Sequence, residues 1–164
     1  MGEQRSVLRN LKAFSIFRNL SEEDLLELSK RMHEEHFGAG KYIIKEGTEG
    51  NTMYLLVNGV VDIMKTTVYG DQYVTASVSA KDEGVFGEMA LIDQGRRSAS
   101  VLTKTDCDTL WISKEDFQSF CRLYPTAGCE LLFITSSNLV RKLRKENENL
   151  RLVYEALIEE IESY

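Results

Sequence analysis

The chain has 164 residues, 43% of them hydrophobic and 28% charged, enough for one domain with a packed core and too apolar for global disorder. A net charge of -6 argues against a general nucleic-acid binder, which carries a basic field. It leaves room for one small anionic ligand, because such a site needs only local positive charge.

Residues 1–33 read as a helical segment. MGEQRSVLRN has no apolar signal core, and its partial fit to a myristoylation motif is taken as chance. LKAFSIF and NLSEEDLLELSKRM follow, with Leu25, Leu26, Leu28 and Met32 at helical spacing. Ser21, with Asp24 behind it, reads as an N-cap close to a capping box.

Residues 34–112 change character. HEEHF, KYIIKE, TMYLLV, VVDIMKT, YVTASVSA, SASVLTK and CDTLWIS are short and rich in Val, Ile, Thr and Tyr. Turn signals separate them at Gly38–Gly40, Glu49–Asn51, Asn58–Gly59, Tyr69–Asp71 and Asp82–Gly84. Asn58–Gly59 reads as a two-residue hairpin turn, since both residues tolerate positive φ. Strands at this spacing predict an antiparallel sandwich or roll.

Residues 113–164 are helical again. Ser113 caps KEDFQSFCRLY, and Pro125 marks a break before a long run. Leu139, Leu143, Leu150, Val153, Leu157 and Tyr164 step by fours and threes, with Glu146 and Glu160 at the remaining seam positions, which is a heptad pattern. A continuous helix from Thr126 to Tyr164 would be roughly 55 Å long, more than one small domain covers. The expectation is that its far end packs on a second copy as a coiled coil, meets another domain or frays. RKLRK, Arg141–Lys145, is read as a solvated charged face. No run reaches the roughly 18 apolar residues of a membrane span. Cys107, Cys121 and Cys129 share no metal-ligand spacing and suggest reduced, half-buried thiols in a cytoplasmic protein.

The chemistry concentrates in FGEMALIDQGRRSASV, Phe86–Val101. Glu88 to Ile92 can form one helical turn whose free N–H groups favour an anion, and Gly87 allows close backbone approach. Arg97 can fork onto two phosphate oxygens. Glu88 then suits a neutral donor beside the phosphate, such as a ribose hydroxyl. Ser98, Ala99 and Ser100 leave room, and the Ser98 hydroxyl adds a donor. The alternative is a structural Glu88–Arg97 ion pair at a helix start.

The whole pattern F-G-E-x-A-L, five residues, R-x-A-x-V resembles the phosphate-binding cassette of cyclic nucleotide-binding domains, here spanning residues 86–99. EGTEGNTMYLLVNGVVDI, Glu46–Ile63, is similar to that family's glycine-punctuated strands, with Gly47 and Gly59 in place. LKAFSIFRNLSEEDLLELSKRM resembles its N-terminal helical bundle, and Ser113–Tyr124 with the run after Pro125 resembles its B and C helices. The likeness covers about Leu11 to Lys145. It implies an α+β fold: a jelly-roll-like antiparallel β-roll of about eight strands, flanked by the N-terminal bundle and the C-terminal B and C helices, the last extended as a coiled coil.

The resemblance further implies that Gly87, Met89 and Ala90 supply backbone around phosphate and ribose. Glu88 would bind the ribose 2′-hydroxyl, and Arg97 the cyclic phosphate, assisted by Ser98 and Ala99. Val78 and Ile63 would line the base pocket. Arg96 stands where many members have proline and is expected to face solvent or give secondary help. Asn51 stands where aspartate is frequent. Ser98 favours cAMP over cGMP, because catabolite activator proteins carry serine there. Asn138, Arg141, Lys142, Lys145, Glu146 and Asn147 are candidates for a base lid.

The implied function is a non-catalytic cyclic-nucleotide sensor, a homodimer through its C-terminal helix that signals to an effector. No cofactor, metal, nucleic acid or membrane partner is expected. A metal-dependent enzyme on a roll needs inward ligands, and the two histidines, His33 and His36, stand together at the start of the strand segment. The remaining alternative is a degenerate roll kept as a dimerisation scaffold.

Overall fold

A computed structural model describes residues 2–162. Eight strands form two four-stranded antiparallel sheets, as the roll reading expects. They are β1 (His33–Phe37), β2 (Tyr42–Ile44), β3 (Thr52–Asn58), β4 (Val60–Thr66), β5 (Gln72–Ser79), β6 (Val85–Phe86), β7 (Ser100–Thr103) and β8 (Cys107–Ser113). One sheet has the order β1-β8-β3-β6, the other β2-β7-β4-β5.

The apolar run of β3 explains the layering. A strand with one wet face alternates; MYLLV does not, because both its faces are buried. Met53 and Leu55 join Leu110 and Ile112 under the helices, whereas Tyr54 and Leu56 turn toward the other sheet with Phe86. Each fully buried leucine of this kind contributes roughly 1.5–3 kcal/mol. Ile44, Val61 and Val101 meet them from the second sheet.

Asn58–Gly59 is not a hairpin turn. β3 pairs with β8 and β6, and β4 pairs with β5 and β7, so the chain steps between sheets at Gly59. The Gly59 carbonyl accepts the Ala80 N–H at 3.1 Å, tying this corner to the end of β5. The dipeptide favours a tight turn but does not choose the partner of the following strand. The hairpin joining β4 to β5 closes at Thr67–Asp71, where the Thr67 N–H donates to the Asp71 carbonyl at 2.8 Å.

Helix α1 (Gly2–Leu11) ends before KAFSIF, so LKAFSIF does not continue as a helix. It contains instead a 3-10 turn, Ser15–Phe17, with Phe14 before it and no side-chain cap of its own. Glu83 supplies that cap from the roll: its Oε2 accepts the Ser15 N–H at 2.7 Å. Glu83 is in the left-handed region (φ 51°, ψ 53°), a costly place for a side chain that its two-sided role holds in position. Helix α2 (Glu22–Ser29) is capped as expected, with the Asp24 N–H donating to Ser21 Oγ at 3.1 Å.

Between β6 and β7 lies the short helix α3 (Met89–Ile92), and after β8 come α4 (Lys114–Leu123) and α5 (Pro125–Glu162). Ser113 caps α4 through the Asp116 N–H at 3.0 Å. At Gly128 a Cβ would come within 2.7 Å of Cys121 Cα, so its absence lets α5 lie directly against α4. Ala127, Gly128, Leu131 and Thr135 bury one face of α5. From Arg141 onward every described residue is exposed, including Leu143, Leu150, Val153 and Leu157; Tyr164 lies outside the described residues. All three cysteines are free: Cys107 is buried, Cys121 half-buried and Cys129 exposed. No helix of the described residues is long and apolar enough to cross a membrane.

Candidate functional site

Arg97 sits just before β7, with its backbone fixed on both sides. Its N–H donates to the Thr48 carbonyl at 2.9 Å, and its own carbonyl accepts the Gly47 N–H at 2.8 Å. The guanidinium then reaches across to β3: Nη2 donates to Thr52 O and Thr52 Oγ1, both at 2.9 Å, and Nη1 donates to the Gly87 carbonyl at 3.3 Å. Burial draws its pKa below the ordinary arginine value, and the Tyr54 phenol opposes this. The group stays charged at neutral pH. Among the described residues no carboxylate pairs with it. The Glu88–Arg97 ion pair allowed by the sequence does not form.

Gly87 has φ 75°, and a Cβ there would lie 2.6 Å from Arg97 Nη1 and 2.8 Å from Thr52 O. Only glycine lets the loop enter this space in that conformation. Glu88 follows at the start of α3 and is 8% exposed. Its Oε1 accepts the ammonium of Lys142, brought in by α5. Of the six lid candidates, Lys142 is therefore the one joined to the cassette, and its partner is the carboxylate. Asn138 is half-buried and accepts from Arg141 Nη1 at 3.3 Å, while Arg141, Lys145, Glu146 and Asn147 are exposed. Lys142 stays exposed with the rest of RKLRK, and its ammonium reaches back to Glu88.

The other cassette residues fall into groups. Met89 is exposed and Ala90 buried; the Ala90 N–H closes the α3 turn onto the Gly87 carbonyl at 3.2 Å. Ser98 is exposed, and Ala99 is half-buried beside it. Ser100 is structural, since its Oγ accepts the Glu46 N–H at 2.9 Å. Arg96 is exposed and donates to the Gly47 carbonyl at 3.3 Å. Ile63 and Val78 are half-buried in the core between the sheets, where Ile63 lies opposite Ala76 and Val101, and Val78 opposite Val61. The structure thus brings Gly87, Glu88 and Arg97 together with Ser98 and Ala99 nearby, and adds Thr52 and Lys142. Thr52 carries no sequence signal, because its role depends on β3 passing the cassette. His33 stacks on Trp111 at 4.3 Å and His36 meets Asp108 at 2.8 Å, both on the β1–β8 pair. Among the described residues no three His, Cys, Asp or Glu side chains cluster as a metal site.

An unneutralised guanidinium beside a buried carboxylate, on a glycine turn between two sheets, calls for comparison with known proteins. Residues 34–124 match the family described as cyclic nucleotide-binding domain. The chain belongs to this family. The domain is 35% identical over 108 residues to human cGMP-dependent protein kinase 2, covering 65% of this chain and 14% of the kinase. It is 28% identical over 143 residues to the cyclic AMP receptor protein of Thermus thermophilus, covering 87% of this chain and 63% of that protein. The solved Thermus thermophilus catabolite activator protein superposes with a TM-score of 0.74 at 29% identity, covering 84% of this chain and 62% of that one. The domain thus spans less than two thirds of the length of these curated relatives.

Proposed function

We propose that the chain is a non-catalytic cyclic-nucleotide sensor that binds cAMP in preference to cGMP. One observation carries the reading: Arg97 is half-buried, held by three neutral acceptors, and has no carboxylate partner among the described residues. A desolvated cation of this kind is best offset by an external anion. The cyclic phosphate meets Arg97, with Ser98 and Ala99 beside it, and Gly87, Met89 and Ala90 supply the surrounding backbone. The ribose hydroxyl donates to Glu88. Ile63 and Val78 form the base side of the pocket. The exposed Ser98 and the match to a cyclic AMP receptor over most of the chain favour cAMP.

Signalling follows from Glu88 having two oxygens. Lys142 occupies Oε1, leaving Oε2 for the ribose, so one carboxylate links the ligand to α5. A ligand that holds Glu88 in this pose favours docked α5 over other poses, and this differential shifts the population. The exposed apolar stripe Leu143, Leu150, Val153 and Leu157 is the surface through which α5 pairs with a second copy and engages a cytoplasmic effector. Nucleic acid and membrane have no role in this reading.

Calorimetric titration with cAMP and cGMP, repeated on Arg97→Glu, tests it. Micromolar or tighter binding, stronger for cAMP and abolished by the substitution, is expected. A folded wild type that binds neither nucleotide would leave the roll as a dimerisation scaffold.

A further inference from the structure

We propose that Lys114 and Glu115, at the start of α4, are positioning residues for Arg97. For its functional meaning this rests on the reading of Arg97 as the phosphate ligand. The guanidinium hangs between two loops. Residues 50–52 give it Thr52 O and Thr52 Oγ1, and the cassette loop gives it the Gly87 carbonyl. A Cβ at Gly50 would lie 2.3 Å from Arg97 Nε, so the arginine lies flat against the first loop and must follow it.

Both loops are fastened to the first turn of α4, the first through Lys114 and Glu115 and the second through Lys114 alone. The Lys114 N–H donates to the Asn51 carbonyl at 2.7 Å, and the Asn51 amide donates to Glu115 Oε2 at 3.0 Å. Thr52 is also the register partner of Ser113, the cap of α4. On the other side the Lys114 ammonium donates to the carbonyl of Asp93, the residue that closes α3, at 2.6 Å. One helical turn therefore sets the gap across which Arg97 is stretched.

The placement of Lys114 is a second, independent sign. A cation in the first turn of a helix opposes the helix dipole, whereas Glu115 and Asp116 beside it agree with it. For α4 alone, a lysine here is unfavourable. Its contact with Asp93 gives it a task that helix stability does not. Because α4 packs on α5 at Gly128, a change in helix pose reaches the guanidinium through this clamp.

Lys114→Met in the full chain keeps the aliphatic stem and removes the donor. Without nucleotide, its melting temperature is expected to equal or exceed that of wild type. In nitrogen-15 spectra the two terminal nitrogens of Arg97, distinct in wild type because they bond different acceptors, are expected to average. cAMP affinity should fall about threefold to tenfold, and Lys114→Arg should restore both. Arg97 signals unchanged in Lys114→Met overturn the clamp, as does averaging that appears only with a lowered melting temperature. If no form binds nucleotide, the Arg97 spectra still decide the clamp, and the sensor reading falls separately.

Discussion

Lys142→Met probes the link between cassette and helix. In the folded chain the Lys142 side chain is 60% exposed and the Glu88 side chain 11% exposed, so the pair is half in water. Exposed ion pairs contribute roughly 0.2–1 kcal/mol and a hydrogen bond to a charged group roughly 1.5–3 kcal/mol; for this geometry about 1 kcal/mol is the appropriate figure. A ribose hydroxyl is a neutral donor and a poor replacement for an ammonium, so in the proposed complex ligand and lysine share the carboxylate. Losing the lysine then frees α5 and leaves Glu88 without a charge partner. cAMP affinity is expected to fall about fivefold, the equivalent of that energy. The loss should be largest at low salt, because a half-exposed pair is screened. Calorimetry on wild type, Lys142→Met, Glu88→Gln and the double variant closes the cycle. In the Glu88→Gln background, Lys142→Met should cost nothing more. Binding by Lys142→Met as tight as wild type, or two losses that simply add, would refute the reasoning.

Two further outcomes are expected. Removing residues after Arg144 should leave a folded, nucleotide-binding domain that sediments as a monomer where the full chain sediments as a dimer; a monomer in both cases removes the role given to the apolar stripe. Glu83 has its carboxyl held below the ordinary value of 4.5, chiefly because the Ser15 hydroxyl and N–H donate to it. A depressed carboxylate adds stability above its unfolded pKa and loses it as pH falls through the folded one. Below about pH 4.5 the wild type should therefore lose melting temperature more steeply than Glu83→Gln. Parallel curves would contradict the cap.

Much of this architecture can be read locally. Strand segments, the caps at Ser21 and Ser113 and the long final helix follow from periodicity and short-range hydrogen bonding, and the cassette is a dense enough pattern to identify its family. What the sequence hides is partner choice. Asn58–Gly59 has ideal hairpin chemistry, yet the strand after it joins the other sheet, because pairing is decided by which faces of β3 and β4 are buried. β6 is only two residues long, too short for an alternation to register. Thr52, Gly50 and Lys142 lie 45, 47 and 45 residues from Arg97 along the chain, and only the closed roll makes them neighbours. Lys114 alone offered a hint, as a cation at the wrong end of a helix dipole.

Lys142 joins α5 to the cassette, and about 20 described residues continue past it, a rod of about 30 Å. Such a rod is a lever whose fulcrum lies at the Glu88–Lys142 contact. A tilt of about 10° at the fulcrum moves the far end by about 5 Å, close to one helical turn. A displacement of that size exceeds the tolerance of an interlocked helix seam, in which each side chain fits one hole. In the proposed dimer, small rearrangements around Glu88 would become a change of register at a distance through the length of the helix alone.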